Sequence, residues 1–173
     1  MRRIRCILAA VLLLLCCGCQ NASPETDGTP LPAAFTAKIA VTHGALEFEA
    51  DLTVSADGTA QTALTAPAAV ASLSITQNAD GCRFSFLGLT LETPPAFLPD
   101  ASFANLLYAA VNTLRSDTAD RIVAGYGNST IYTSKTEAGD IFSLTCTQDG
   151  IPQSLSMEGQ DLHVTFSDFT VSE

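Results

Sequence analysis

The sequence has few basic residues and no tryptophan. Its 173 residues include eight Lys and Arg against eighteen Asp and Glu, which gives a formal net charge of −10 at pH 7. Nucleic acids and anionic lipid headgroups bind proteins through clusters of basic side chains, so a surface of this charge repels both. The composition therefore predicts a protein without a nucleic-acid partner.

Catalytic and metal-binding motifs are also absent from the sequence. It has no Gly-x-Ser-x-Gly nucleophile motif, and neither His43 nor His163 has a partner at metal-ligand spacing. Glu47, Glu49 and Asp51 alternate along one predicted strand, where carboxylates on the same face stand about 7 Å apart, too far for one calcium shell. We therefore expect a protein that is not an enzyme and that uses no metal and no cofactor.

No apolar run in the sequence is long enough to cross a membrane as a helix. The longest run covers residues 7–17, which is eleven residues, whereas a spanning helix needs about 20. Three arginines precede it, and a polar stretch with several prolines follows it. A basic start followed by a short apolar run is typical of a secretory signal peptide.

The end of this run resembles the signal of bacterial lipoproteins. Gly18 precedes Cys19, as in the motif whose cysteine receives a diacylglyceryl group with palmitate-type chains, although Cys16 stands where that motif usually has Leu. The resemblance implies cleavage after residue 18 and lipidation of Cys19; simple secretion is the alternative. We expect a signal peptide at 1–18, the lipidated cysteine and a flexible tether at 19–33, and one domain at 34–173. The protein would be extracytoplasmic and anchored by lipid to the bacterial cell membrane.

The domain contains two cysteines, and the sequence leaves their state open. Cys82 and Cys146 each share strand parity with large apolar residues. An exported chain with two cysteines can form one disulfide, but two buried thiols that never meet explain the same pattern.

Alternation of apolar and polar residues dominates the domain. In residues 45–54 the apolar side chains fall on one face of a strand and the acidic ones on the other, which is typical of an antiparallel sheet with one solvated face. Asp-Gly pairs, typical of hairpin turns, separate such runs. We expect eight to ten strands in meander order, with the clearest runs at 45–54, 71–76, 82–92, 129–134, 140–147, 153–158 and 161–166.

One segment has helical periodicity instead. Within residues 99–117, apolar residues recur every three to four positions, Asp100 is placed to cap the start, and Arg115 lies in the last turn. The apolar stripe must be covered, and the apolar face of the sheet is the partner of sufficient size. The sequence thus predicts a mainly β (α+β) fold, a curved antiparallel sheet or half-open β-barrel with one principal α-helix on its concave face.

This order of elements resembles the LolA/LolB/LppX class of exported proteins. The resemblance covers most of residues 35–171 as a pattern of elements, and its specific residues are the turn at 149–152 and the closing strand with Val164, Phe166 and Phe169. Proteins of this class are similar in having an incomplete barrel plugged by helices, with acyl chains held in the cavity between. The resemblance implies a half-barrel domain at 34–173.

Two functions follow from this resemblance, and neither is catalytic. One is a binding module for a hydrophobic lipid or acyl ligand or for a lipoprotein. The other is a structural or accessory envelope lipoprotein that binds another protein. The five basic residues of the mature chain are scattered, so we expect any ligand to be apolar. Its cavity would be lined by residues that fit a packed core equally well, namely Phe103, Leu107, Val111, Leu114, Phe84, Phe86, Phe142 and Phe166.

Overall fold

The computed structural model describes residues 29–94 and 97–172. The predicted signal peptide, Cys19 and most of the tether lie outside these residues. The described part contains eleven β-strands, one α-helix and a 3₁₀ turn at Glu158–Gln160. In chain order the elements are β1 (Phe35–His43), β2 (Leu46–Val54), β3 (Ala60–Ala66), β4 (Ser74–Asn78), β5 (Gly81–Phe86), β6 (Leu89–Thr93), α1 (Phe103–Arg115), β7 (Ile122–Tyr126), β8 (Ser129–Lys135), β9 (Ile141–Thr147), β10 (Pro152–Met157) and β11 (Leu162–Val171).

All eleven strands form one antiparallel sheet, in the order β6-β5-β4-β3-β2-β1-β11-β10-β9-β8-β7. The sheet consists of two meanders, β1 to β6 and β7 to β11, which are joined in the chain by the helix. The first and last strands of the chain, β1 and β11, pair with each other in the middle of the sheet. Within the described residues the sheet does not close, since β6 and β7 each have one unpaired edge. This arrangement fits a curved half-barrel with one helix.

The strand count and order correct the sequence prediction. We expected eight to ten strands in a simple meander, whereas the structure has eleven and pairs the first with the last. The run 82–92 is two strands, because the chain reverses at Leu87 and Gly88, a turn without the usual Asn-Gly or Asp-Gly signal. The pairing of β1 with β11 joins distant parts of the chain, so no local sequence pattern predicts it.

The core lies on one face of the sheet, which we call the inner face. It is built by alternate residues of each strand, such as Ile39 of β1, Leu52 of β2 and Val164 of β11, all of them buried. The helix covers this face and packs against β4 and β8. Its buried side chains include Leu107, Val111 and three others at helical spacing, and the last of the predicted stripe, Leu114, is fully buried.

The two ends of the helix are fixed to the amino-terminal half of the sheet. At the start, the rings of Phe103 and Phe48 pack with their centroids 4.5 Å apart. At the end, the Arg115 guanidinium donates hydrogen bonds to the backbone carbonyls of Ala33, Ser55 and Ala56. The helix begins at Phe103 with Ser102 as its N-cap residue and no side-chain cap bond, so the predicted capping role of Asp100 is wrong.

Candidate functional site

The eight side chains that the sequence placed around a cavity divide into two groups. Five of them are buried in the hydrophobic core: Leu107, Val111, Leu114, Phe142 and Phe166. The other three, Phe84, Phe86 and Phe103, are only partly buried. The middle of the molecule, under the helix, is therefore a packed interior. Exposed apolar surface on the inner face lies elsewhere.

Three surface pockets, with volumes of about 530, 480 and 410 Å³, are open depressions whose walls contain both polar and apolar residues. None of the eight predicted side chains lies in their walls. The first lies beside Asp80, Arg83 and Glu92 near the β6 edge, and the second lies where the tether meets Arg115.

The inner face loses its cover towards the β6 edge. Residues that pair directly across strands share a face, and one such row runs from Thr62 through Ile75 and Phe84 to Leu91. Ile75 is 4% exposed and Phe84 is partly buried, but Leu91 is 64% exposed. The row is apolar from Ile75 to its end, although the helix covers only its beginning.

A second row shows the same trend. Phe86 of β5 is half-buried and pairs with Leu89 of β6, which is 75% exposed. We call the four inner-face side chains Phe84, Phe86, Leu89 and Leu91 the open apolar surface. The amino-terminal wing of the sheet, strands β4, β5 and β6, carries this surface, which we take as the candidate binding site.

The turn between β5 and β6 extends the apolar character to its tip. Leu87 has φ +49° and is 76% exposed, and Gly88 has φ +83°. Glycine adopts a left-handed backbone at no steric cost, but a bulky residue such as leucine rarely does. Residues 84–91 contain no charge. A strained and exposed leucine at the tip of an uncharged hairpin points to a role in contact with another molecule rather than in folding.

The opposite end of the sheet is built differently. In the carboxy-terminal wing, strands β7, β8 and β9, one row pairs Leu144 with the buried Tyr132 and then with Val123. The neighbouring row pairs Cys146 with Thr130 and then with Gly125. The inner face of this wing therefore changes to small and polar side chains as it approaches its edge.

The two cysteines of the domain are free, buried thiols. Cys82 lies on β5 and Cys146 on β9, with six strands between them in the sheet, so the disulfide that the sequence left open is absent from the structure. Burial raises the pKa of Cys82, and it raises the pKa of Cys146 to about 11. A raised pKa favours the protonated form of both thiols at neutral pH.

The charged side chains beside the open apolar surface form a neutral pair. Arg83 and Glu92 occupy directly opposite positions on β5 and β6, on the outer face, with 2.7 Å between Nη2 and Oε1. Elsewhere, Lys38 pairs with Asp168 across 2.7 Å and Arg115 binds backbone carbonyls. The basic residues are thus dispersed, as the sequence predicted, and the open apolar surface itself has no cation to hold a headgroup.

The histidines are not part of a metal-binding cluster in the described residues. His163 Nδ1 lies 2.8 Å from Ser156 Oγ, and both side chains face solvent on the outer face. Among residues 29–94 and 97–172 there is no cluster of three or more His, Cys, Asp or Glu that could hold a metal ion. In the same part of the chain, no helix is both long and apolar enough to cross a membrane.

Sequence reasoning missed Leu89 and Leu91. The alternation of 82–92 was recognised, but as one strand, and the parity of these leucines was not related to that of Phe84 and Phe86. The signal was present in the form of Gly88, since a glycine inside an alternating run marks a bend or a turn. Their exposure had no signal in the sequence, because it depends on how far the helix extends.

Comparison with solved structures shows similarity at the level of the fold. An uncharacterized conserved protein from Thermus thermophilus matches with a TM-score of 0.52 and 8% identity, over 83% of this chain and 82% of that one. A LolA superfamily protein from Nitrosomonas europaea matches with a TM-score of 0.45 and 8% identity, over 89% and 93%. A chain in the structure of the CwlD amidase from Clostridioides difficile in complex with the GerS lipoprotein matches with a TM-score of 0.49 and 16% identity, over 79% of this chain and 84% of that one.

No family model and no curated protein matches the sequence. A LolA superfamily protein is among the structures to which this chain is similar. At these identities the similarity describes architecture alone. What the chain binds must therefore be argued from its own surface.

Proposed function

We propose that this chain is a non-catalytic, membrane-tethered extracytoplasmic lipoprotein whose domain binds an acyl chain, either of a lipid or of another lipoprotein, on the open apolar surface. One observation carries the proposal. The apolar rows of the inner face continue past the helix to Leu89 and Leu91, which are exposed although Phe84 and Phe86, their neighbours in the same rows, are partly buried. Apolar side chains aligned in this way form a continuous surface on which an extended apolar ligand can bind.

The energetics of this site suit an acyl chain. Burying about ten methylene groups at about 0.8 kcal/mol each corresponds to roughly micromolar binding before the costs of ordering the ligand. The neighbouring charges, Arg83 and Glu92, neutralise each other and offer no net charge to a headgroup. Affinity would therefore follow the length of the acyl chain and depend little on the headgroup.

The lipid anchor is part of the proposal. The tether enters the domain beside Thr29 and Ala33, next to the carboxyl end of the helix. The ten residues 19–28 that precede Thr29 span at most about 35 Å, so the domain stays close to the membrane surface. Cys19→Ala should release the protein from the membrane fraction or leave unprocessed precursor. If Cys19→Ala protein stayed processed and membrane-bound like the wild type, the anchor would be refuted.

A titration with a fluorescent fatty acid tests the binding site. The chain from residue 20 onwards contains every described element and is the material to use. We expect saturable binding. Leu89→Ser combined with Leu91→Ser should weaken the affinity at least tenfold, because the open apolar surface loses both of its exposed leucines. The matched control is Ile122→Ser combined with Ile141→Ser, which removes two exposed isoleucines from the outer face of the other wing. Equal loss in both double variants would contradict the site.

A second candidate is an accessory envelope lipoprotein that binds another protein. The unpaired edge of β6 favours it, because an edge strand offers free backbone groups to an added strand. The two candidates differ in a simple measurement. Mass spectrometry of the purified domain that finds no bound lipid, together with no saturable fatty-acid binding by the wild type, would favour the protein-binding function.

A further inference from the structure

The outer edge of β6 carries little net charge. In the part of the chain that the structure describes, β6 pairs with β5 and has no neighbour on its other side. Natural edge strands are commonly guarded by charge, proline or a bulge, since a free edge invites another strand. Residues 89–93 contain a single charged residue, Glu92, and Arg83 of the same hairpin neutralises it.

The register of the hairpin shows which backbone groups are free. The turn has two residues, Leu87 and Gly88, so Phe86 and Leu89 are the first pair of the ladder. In a hairpin with a two-residue turn, this first pair is a hydrogen-bonded pair. Hydrogen-bonded and non-hydrogen-bonded pairs alternate along an antiparallel ladder. Counting from this pair, Thr90 and Glu92 direct their N–H and C=O groups away from β5. Leu91 lies between them, with its side chain on the inner face.

We propose that β6 is a contact between two copies of this chain, paired antiparallel about a two-fold axis at Leu91. In this register Thr90 of each copy exchanges two hydrogen bonds with Glu92 of the other. Leu91 faces Leu91 of the second copy in the close, non-hydrogen-bonded position, and Leu89 faces Thr93. The pairing is self-complementary, as a two-fold contact requires.

The charge arrangement supports a second copy as the occupant. The chain is acidic, so two copies repel each other over most of their surface. At the β6 edge no like charges stand directly opposite, because Glu92 faces Thr90 and its charge is already neutralised by Arg83. The uncharged hairpin is thus a place where two copies can meet without repulsion.

The other free edge, on β7, is a poorer contact. Ala124 is at the centre of this strand, and Gly125 occupies the inner face beside it. Small side chains bury little apolar area on pairing, and glycine weakens a strand. Pairing at β6 instead brings Phe84 and Leu91 of both copies onto one inner face. The second copy would then contribute Leu91 to the open apolar surface, although the pairing itself does not rest on the proposed ligand.

A charge-exchange experiment on the chain from residue 20 tests the pairing. Light scattering after gel filtration should give the wild type twice the mass of one chain. Leu91→Lys and Leu91→Asp should each give monomer, because like charges then face each other at the axis. Their equimolar mixture should regain the dimer mass. Ala124→Lys and Ala124→Asp, at the centre of β7, are the matched controls and should remain dimeric.

Crosslinking then tests the register. A Leu91→Cys variant should form a covalent dimer under mild oxidation, because residues in a non-hydrogen-bonded antiparallel pair have Cα atoms about 4.5 Å apart, within reach of a disulfide. Leu89→Cys should not, because it faces Thr93. The native Cys82 and Cys146 are buried and should not interfere. Equal crosslinking of both variants would overturn the proposed axis.

The outcomes also separate a second copy from other occupants. A wild type that is monomeric at all concentrations, or a Leu91→Lys protein that remains dimeric, would overturn the proposal. If the wild type is monomeric and Leu91→Lys instead loses fatty-acid binding or flotation with phosphatidylcholine vesicles, the surface binds lipid. A dimer that binds no fatty acid would leave the pairing intact and count against the proposed function alone.

Discussion

The two wings of the sheet have the same construction, three antiparallel strands that end in a free edge, yet their inner faces differ. The amino-terminal wing carries large apolar side chains to its last strand, where Leu89 and Leu91 are exposed. The carboxy-terminal wing ends in Val123 and Gly125. Large apolar side chains stabilise a fold only where something covers them. On the inner face, the amino-terminal wing therefore leaves large apolar side chains exposed, whereas exposed apolar side chains of the carboxy-terminal wing, such as Ile122 and Ile141, lie on its outer face.

The position of the helix explains why the difference matters. The helix packs against β4 and β8, so its cover reaches the inner strand of the amino-terminal wing and the middle strand of the other. Beyond β4 the chain continues with Phe84, Phe86 and the two leucines, and none of these is fully buried. Beyond β8 the inner face of the carboxy-terminal wing ends in Val123 and Gly125, which need no further cover. The open apolar surface is therefore a property of the composition of β5 and β6, strands that are not among the main contacts of the helix.

The largest effect should come from truncating matched phenylalanines in the two wings. Phe142 of β9 is 1% exposed and Phe86 of β5 is half-buried, and both are on the inner face. We expect Phe142→Ala to lower the free energy of unfolding by about 3–5 kcal/mol, and Phe86→Ala by about 1 kcal/mol or less. Urea denaturation measures both. Similar losses would mean that the two wings are equally packed and would remove the basis of the comparison.

A smaller effect should follow from enlarging a helix residue. Val111 is 1% exposed and Leu107 is 3% exposed in the packed region between the helix and the sheet. We expect Val111→Trp or Leu107→Trp to overpack this region and cost about 1–3 kcal/mol of unfolding free energy, while fatty-acid affinity is unchanged. Ile122→Trp, at a site that is 72% exposed, is the control and should change stability little. Loss of fatty-acid binding with full stability would instead place the ligand under the helix.

The smallest effect should be a gain of stability at the hairpin tip. Leu87 has a left-handed backbone, which asparagine adopts more readily than leucine, and Asn-Gly is the preferred sequence for such a turn. We expect Leu87→Asn to raise the free energy of unfolding by about 0.5–1 kcal/mol, measured by thermal or urea denaturation. Leu89→Asn, the same substitution on ordinary strand backbone, should bring no gain. A destabilised Leu87→Asn protein would show that Leu87 serves folding after all.

Much of the fold could be predicted from the sequence, because its signals are local. Helical periodicity located the helix at about 100–116, and it runs from Phe103 to Arg115. Strict alternation located the strand at 45–54, and β2 covers Leu46–Val54. The strand β7 was missed because the letters IVAGY do not alternate. The break between β5 and β6 was missed because Leu-Gly is an unusual turn sequence.

The candidate site was predicted less well than the fold. Phe84 and Phe86 were named, but so were Leu114 and Phe142, which are fully buried. Period and parity assign a side chain to a face of a strand or helix. Phe84, Phe86 and Phe142 are indeed on the inner face of the sheet, and Leu114 is on the buried side of the helix. Neither pattern contains information on what lies above that face. The sequence therefore could not separate an exposed apolar residue from a buried one.

Leu91 and Leu144 illustrate what each level decided. The sequence by itself determined the parity of each residue within its run, because alternation is set by the geometry of a single strand. Only the turn at Leu87 and Gly88 brings Leu91 onto the same face as Phe84. Only the tertiary structure decided that Leu144 is fully buried and that Leu91 is 64% exposed. The pairing of β1 with β11 moves β6 to the outside of the sheet, and the helix packs too near the centre to reach it. Which distant strands pair depends on the fold of the whole chain, because the arrangement that buries the most apolar area is the most stable. Local sequence patterns do not contain this information.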